Sequence, residues 1–134
     1  MMLKHIISKN LHFGRYFSTH VRVAVVGGGT AGVSVSSQIA KSANFNASDI
    51  AVFEPRDEHH YQPSYTMIAG GVISVNPNVV KSKSRTYVKR SMSDVFTSGV
   101  QLIKEGVETF DPESNKLTTN KGEYTYDYLV VCPG

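Results

Sequence analysis

VRVAVVGGGTAGVSVSSQIA, residues 21–40, decides how the rest of this 134-residue chain is read. Val21–Val26 is a short run dominated by β-branched valine, which suits a strand buried on both faces of a parallel sheet. Gly27-Gly28-Gly29-Thr30-Ala31-Gly32 follows at once and satisfies the spacing G-x-G-x-x-G. The first glycine permits a tight turn out of the strand, the second of the spacing (Gly29) lets backbone approach a pyrophosphate, and Gly32 lets the next helix pack on the sheet. TAGVSVSSQIAKS then reads as a helix of modest propensity, dependent on packing, with Val35 and Ile39 one turn apart. Its N-terminus offers free N–H groups and partial positive charge to phosphates.

The glycine spacing is a weak signal alone, and its surroundings strengthen it. Asn44–Asp49 reads as a polar turn and Ile50–Phe53 as a second apolar strand, which completes a β-α-β unit. Glu54 ends that strand, 22 positions after Gly32, where a carboxylate can accept hydrogen bonds from both hydroxyls of a ribose. The position four after Gly32, usually Gly or Ala, is Ser36, which is still small. Residues 27–32 with Glu54 are thus expected to grip a dinucleotide. The fingerprint does not choose between FAD and NAD.

Composition narrows the function classes. No apolar run approaches the roughly 20 residues of a membrane-spanning helix. Cys132 is the single cysteine, so neither an internal disulfide nor a thiolate-built zinc site is available. The formal charge of +3 sits wholly in residues 1–20, which hold Lys4, Lys9 and Arg15 and no acid. The remainder balances eleven cations with eleven anions, which argues against nucleic acid as a partner. Residues 1–17, with Leu3, Ile6, Ile7 and Leu11 on one helical face and Arg15-Tyr16-Phe17 before Ser18, read as a mitochondrial presequence. Residues 18–134 then form the folded portion.

Further along, residues 54–71 read as a polar, proline-marked loop running into a helix near Tyr65–Ala69. Val100–Ile103, Val107–Phe110 and Lys116–Thr119 read as short strands, the last two joined by the turn at 111–115. Tyr124–Val131 is a final strand with an apolar end. Lys81, Lys83, Arg85, Lys89 and Arg90 read as a solvated face. His59 and His60 read as loop histidines without a metal or a partner, and Cys132 as a small space-filling side chain.

Two stretches carry a family resemblance. Tyr126-Asp127-Tyr128-Leu129-Val130-Val131-Cys132-Pro133-Gly134 resembles the second FAD-contacting motif of flavoproteins with two dinucleotide-binding domains. Glu54-Pro55-Arg56-Asp57-Glu58-His59-His60-Tyr61-Gln62-Pro63 resembles sulfide:quinone oxidoreductase, particularly the mitochondrial type. The resemblance spans residues 21–134, and only the Tyr61-Gln62-Pro63 region is specific to that family. It implies an α/β fold: a Rossmann-like FAD-binding domain, a parallel sheet with a β-meander, incomplete here. It implies FAD as cofactor, held by Gly27, Gly28, Gly29, Thr30, Ala31, Gly32, Glu54, Tyr61, Gln62, Pro63 and Gly134.

The implied activity is oxidation of sulfide with electron transfer to ubiquinone, with a sulfur acceptor as co-substrate, at the inner mitochondrial membrane. The family's redox cysteines lie further along than residue 134. The chain is therefore expected to represent about the first third of such an enzyme, not to turn over sulfide alone, and to pack loosely in isolation. An NAD(P)H-dependent flavoprotein reductase such as type II NADH dehydrogenase, and a non-catalytic FAD-binding fragment, remain the alternatives.

Overall fold

The computed structural model describes residues 18–73 and 88–133. The presequence expected at 1–17, the cations Lys81, Lys83 and Arg85, and Gly134 lie outside the described residues.

A six-stranded sheet organises the chain. Strand β1 (Thr19–Val26) lies at its centre, paired in parallel with β2 (Ile50–Phe53) on one side and β8 (Glu123–Val131) on the other. Strand β5 (Gln101–Ile103) extends the parallel set beyond β2. On the other side, β7 (Lys116–Thr119) and β6 (Val107–Asp111) add to β8 as an antiparallel meander, giving the order β5-β2-β1-β8-β7-β6. The Rossmann-like α/β fold with a meander expected from the sequence is the fold found.

The valine run of β1 is buried on both faces, as its lack of polar alternation requires. Val23 and Val25 join Ile50 and Val52 on the face covered by helix α1 (Thr30–Ala40), where Ile39, Ala40, Phe45, Phe96 and Val100 also pack. Ala24 and Val26 join Ala51, Phe53, Leu117 and Tyr126 on the opposite face. The Phe53 and Tyr124 rings meet edge to face there, 4.9 Å apart. Ser36, at the small-residue position of α1, is fully buried and returns its hydroxyl to the Val33 carbonyl at 3.1 Å. That bond satisfies the one polar group that close helix–sheet packing would otherwise strand.

The loop after Glu54 contains more structure than its sequence shows. Glu58–His60 forms a strand, β3, paired antiparallel with β4 (Lys89–Ser91). Met92, at the end of β4, is almost fully buried beneath the glycine turn. Helix α2 (Pro63–Ala69) starts two residues earlier than expected, with Pro63 in the first turn, where its missing N–H costs nothing.

Candidate functional site

Three chain segments meet at the carboxyl ends of the parallel strands, the end of an open α/β sheet where ligands bind. The first is the turn from β1 into α1. Gly27 leaves β1 with φ +101°, and its N–H reaches back to the Phe53 carbonyl at 3.0 Å. The Cys132 N–H donates to the Val26 carbonyl at 2.8 Å, so the end of β8 crosses directly over the turn. A Cβ at Gly27 would lie 2.5 Å from the Cys132 carbonyl oxygen. Gly32 faces the Gly27 carbonyl so closely that any side chain would collide with it. These two glycines are required by packing alone.

Gly28 and Gly29 differ from them. A Cβ on Gly28 would press on the Glu54 side chain and on the Met92 sulfur. Gly29 faces open space, with nothing within 4 Å of where its Cβ would be. Gly29 is the N-cap of α1, with no capping side chain, and the first turn of that helix holds no acid. The N–H groups of Thr30, Ala31 and Gly32 precede the first intrahelical bond, Val33 N–H to the Gly29 carbonyl at 3.0 Å. An unfilled helix N-terminus beside an open glycine is a shape and charge that a diphosphate fits.

Glu54 is the second component. It is 2% exposed, and its backbone N–H donates to the Ile103 carbonyl of β5. Its Oε2 accepts from the Gly28 N–H at 2.9 Å and from Arg56 Nη2 at 3.1 Å. Its Oε1 accepts from the Arg56 backbone N–H at 3.0 Å and from Arg56 Nε at 2.9 Å. Burial pushes the carboxyl up, but hydrogen bonds from the Arg56 side chain and backbone and from Gly28, with the guanidinium charge, outweigh it. The net effect lowers it from 4.5 to about 2, so Glu54 is ionised at any physiological pH. An ionised carboxylate has about four acceptor positions, and all are in use. A ribose diol could bond here only by taking the positions now held by the Arg56 side chain, which is 63% exposed and free to swing away.

The third component is the β3–β4 pair. His59 and His60 are adjacent on a strand, so they face opposite ways. His60 faces solvent, and its Nδ1 meets the Tyr65 hydroxyl at 2.5 Å. His59 is buried, and its Nδ1 lies 3.1 Å from the Gly28 carbonyl oxygen. The expectation of partnerless loop histidines therefore fails for both: His60 meets Tyr65 and Glu58, and His59 touches the glycine turn itself. The sequence assigns Arg56 and Met92 no role at the turn, and marks His59 only as a loop residue.

Gly27–Gly32 and Glu54 are brought together as the sequence suggested. Tyr61 and Gln62 link β3 to α2, which begins at Pro63; all three are exposed, and none is hydrogen-bonded to the turn among the described residues. Tyr61 donates its N–H to the Val88 carbonyl at 2.9 Å and accepts at its own carbonyl from Ser64. Cys132 is half-buried, its backbone committed to the Val26 bond.

Residues 21–134 match the family described as pyridine nucleotide-disulphide oxidoreductase. The chain is 36% identical over 114 residues to the mitochondrial sulfide:quinone oxidoreductase of Dictyostelium discoideum, an alignment covering 84% of this chain and 23% of that protein. It is 25% identical over 113 residues to the type II NADH:quinone oxidoreductase of Staphylococcus aureus, covering 84% of this chain and 26% of that one. Among solved structures it resembles the sulfide:quinone oxidoreductase of Aquifex aeolicus, with a TM-score of 0.61 and 23% identity, over 87% of this chain and 24% of that one. At that identity the likeness is one of fold. The chain spans about a quarter of the length of the curated relatives it matches.

Proposed function

The chain belongs to the pyridine nucleotide-disulphide oxidoreductase family, and from that membership we propose that it is the cofactor-gripping segment of a flavin-dependent sulfide:quinone oxidoreductase. The cofactor is FAD. The observation that carries the reading is the pairing of an open, uncapped glycine turn at Gly29 with the buried, ionised Glu54 on the neighbouring strand. The N–H groups of Gly29, Thr30, Ala31 and Gly32 would receive the pyrophosphate, and Glu54 the ribose hydroxyls. Tyr61, Gln62, Pro63 and Gly134 complete the proposed contact set, on the resemblance alone.

Bound FAD supplies a two-electron acceptor that can pass its electrons on to a quinone. This chain's own part is to hold that group. Gly27 and Gly32 keep the turn closed against β8, and Met92 supports Gly28 from below. Glu54, anchored by its buried position, keeps a full negative charge where a diol can donate to it. Sulfide as donor and a quinone as acceptor follow the 36% identity to a protein of that name, and a mitochondrial site of action follows the same name. Among the described residues no helix is long and apolar enough to cross a membrane.

A protein that carries this segment together with the rest of the relatives' length, mixed with FAD and desalted, is expected to retain one FAD and to show a shifted flavin spectrum. A colourless product would sink the assignment. The donor is tested in a protein that carries this segment together with the rest of the relatives' length: sulfide should bleach the flavin absorbance and a ubiquinone analogue should restore it. Bleaching by NADH and not by sulfide would favour the second reading, a type II NADH:quinone oxidoreductase, which rests on the likeness to the staphylococcal protein.

A further inference from the structure

We propose that His59 is a positioning residue for the pyrophosphate site, acting through the Gly28–Gly29 peptide; the inference rests on the FAD reading above. A carbonyl oxygen only accepts, so the 3.1 Å contact makes His59 Nδ1 the donor and the Gly28 carbonyl its acceptor. No cis peptide bond occurs in the described chain, so the Gly28 carbonyl and the Gly29 N–H lie on opposite edges of one planar group. Pinning the carbonyl toward β3 aims the Gly29 N–H the opposite way, away from His59.

Glycine is the residue whose peptide plane most needs such an anchor, because its backbone has no side chain to restrict rotation. The neighbouring peptide is held as well: the Gly28 N–H donates to Glu54 Oε2 at 2.9 Å. Glu54 and His59 therefore grip the two sides of Gly28, one through its N–H and the other through its carbonyl. The histidine is itself held. It is 9% exposed, it sits opposite Arg90 in the β3–β4 ladder, and Met92 next to that ladder packs against the same glycine. A preoriented donor contributes more to anion binding than one that must be ordered by the ligand.

The test compares wild type, His59→Leu and His59→Asn for binding of FAD, ADP and adenosine, the last two as competitors of FAD. Asparagine places an amide N–H near the position of the imidazole Nδ1; leucine offers no donor. His59→Leu is expected to weaken FAD and ADP about tenfold and to leave adenosine within twofold, and His59→Asn is expected to recover most of the loss. An equal loss for all three ligands, or no loss, overturns the proposal while FAD binding by wild type stands. Failure of wild type to bind FAD overturns the cofactor reading and this inference with it. Should His59→Leu not fold, 15N-labelled wild type titrated with ADP decides: the Gly29 amide resonance should shift with ADP and stay unmoved by adenosine. A Gly29 amide indifferent to ADP overturns the proposal.

Discussion

Arg56 holds Glu54 from the solvent side: its Nε and Nη2 donate to the two carboxylate oxygens at 2.9 and 3.1 Å, while Gly28 holds the same carboxylate from within. The guanidinium is both the partner that keeps Glu54 charged and the occupant a ribose diol must displace. Arg56→Ala should therefore bind FAD at pH 7 at least as tightly as wild type, because the backbone donors of Gly28 and Arg56 remain to stabilise the anion. Flavin fluorescence titration measures this. A tenfold loss of affinity would mean that Arg56 itself binds the cofactor.

Glu54→Gln removes the charge and leaves an amide with one acceptor oxygen facing four N–H groups and a ribose. Hydrogen bonds to a charged group contribute about 1.5–3 kcal/mol each, so losing one to the ligand should weaken FAD about 10- to 100-fold. Isothermal titration at neutral pH reads the change. Affinity within twofold of wild type would remove Glu54 from the site.

The same carboxylate makes stability depend on acid. Its folded-state value, about 2, lies below the ordinary 4.5, so its contribution is fully present above pH 4.5 and is lost as pH falls toward 2. The shift corresponds to at most about 3 kcal/mol, reduced by solvent screening around the exposed guanidinium. Urea unfolding of wild type and Glu54→Gln should converge between pH 4.5 and 2. Parallel curves across that window would show that Glu54 is not held low.

Alanine substitution separates the glycines. Gly32→Ala drives a Cβ into the Gly27 carbonyl, and Gly27→Ala combines a clash with the Cys132 carbonyl and a positive φ; each should cost about 2 kcal/mol or more. Gly29 has φ −70° and open surroundings, so Gly29→Ala should fold with its melting temperature lowered only slightly, the cost of alanine at a helix N-cap. It should still lose FAD affinity, since the added methyl stands where a phosphate would approach. Thermal melts with and without FAD distinguish the two classes.

Met92→Ala removes an almost fully buried side chain from beneath Gly28, and should destabilise by about 2–4 kcal/mol. Thermal or urea unfolding measures the loss. A change below about 0.5 kcal/mol would mean that the β3–β4 pair is not docked on the turn.

The parts legible in the sequence were those with a period or a spacing. Val21–Val26, the glycine spacing and Ile50–Phe53 each carry a pattern longer than one contact, and the structure places β1, α1 and β2 on them. The meander was readable from its turn residues; Asn115, at φ 48°, takes the left-handed position its short polar side chain tolerates. Strands β3 and β4 were not readable, because Glu58-His59-His60 and Lys89-Arg90-Ser91 have three residues each and no apolar alternation. Their pairing comes from docking on the turn through His59 and Met92, a tertiary effect without a local signature. Arg56 had a faint signal, a cation two positions after the acid, which only the geometry of Glu54 turns into a role.

The splice between Gly27 and Cys132 also sets an order of events during synthesis. The turn gains its cover from the end of β8, and more than a hundred residues separate the two in the chain. On the ribosome, the glycine segment emerges early and must wait, unclasped, for those residues to follow it out of the exit tunnel. Nascent chains with Cys132 still inside the tunnel should leave flavin in solution, and those in which a C-terminal extension carries Cys132 clear of the tunnel should carry the flavin along.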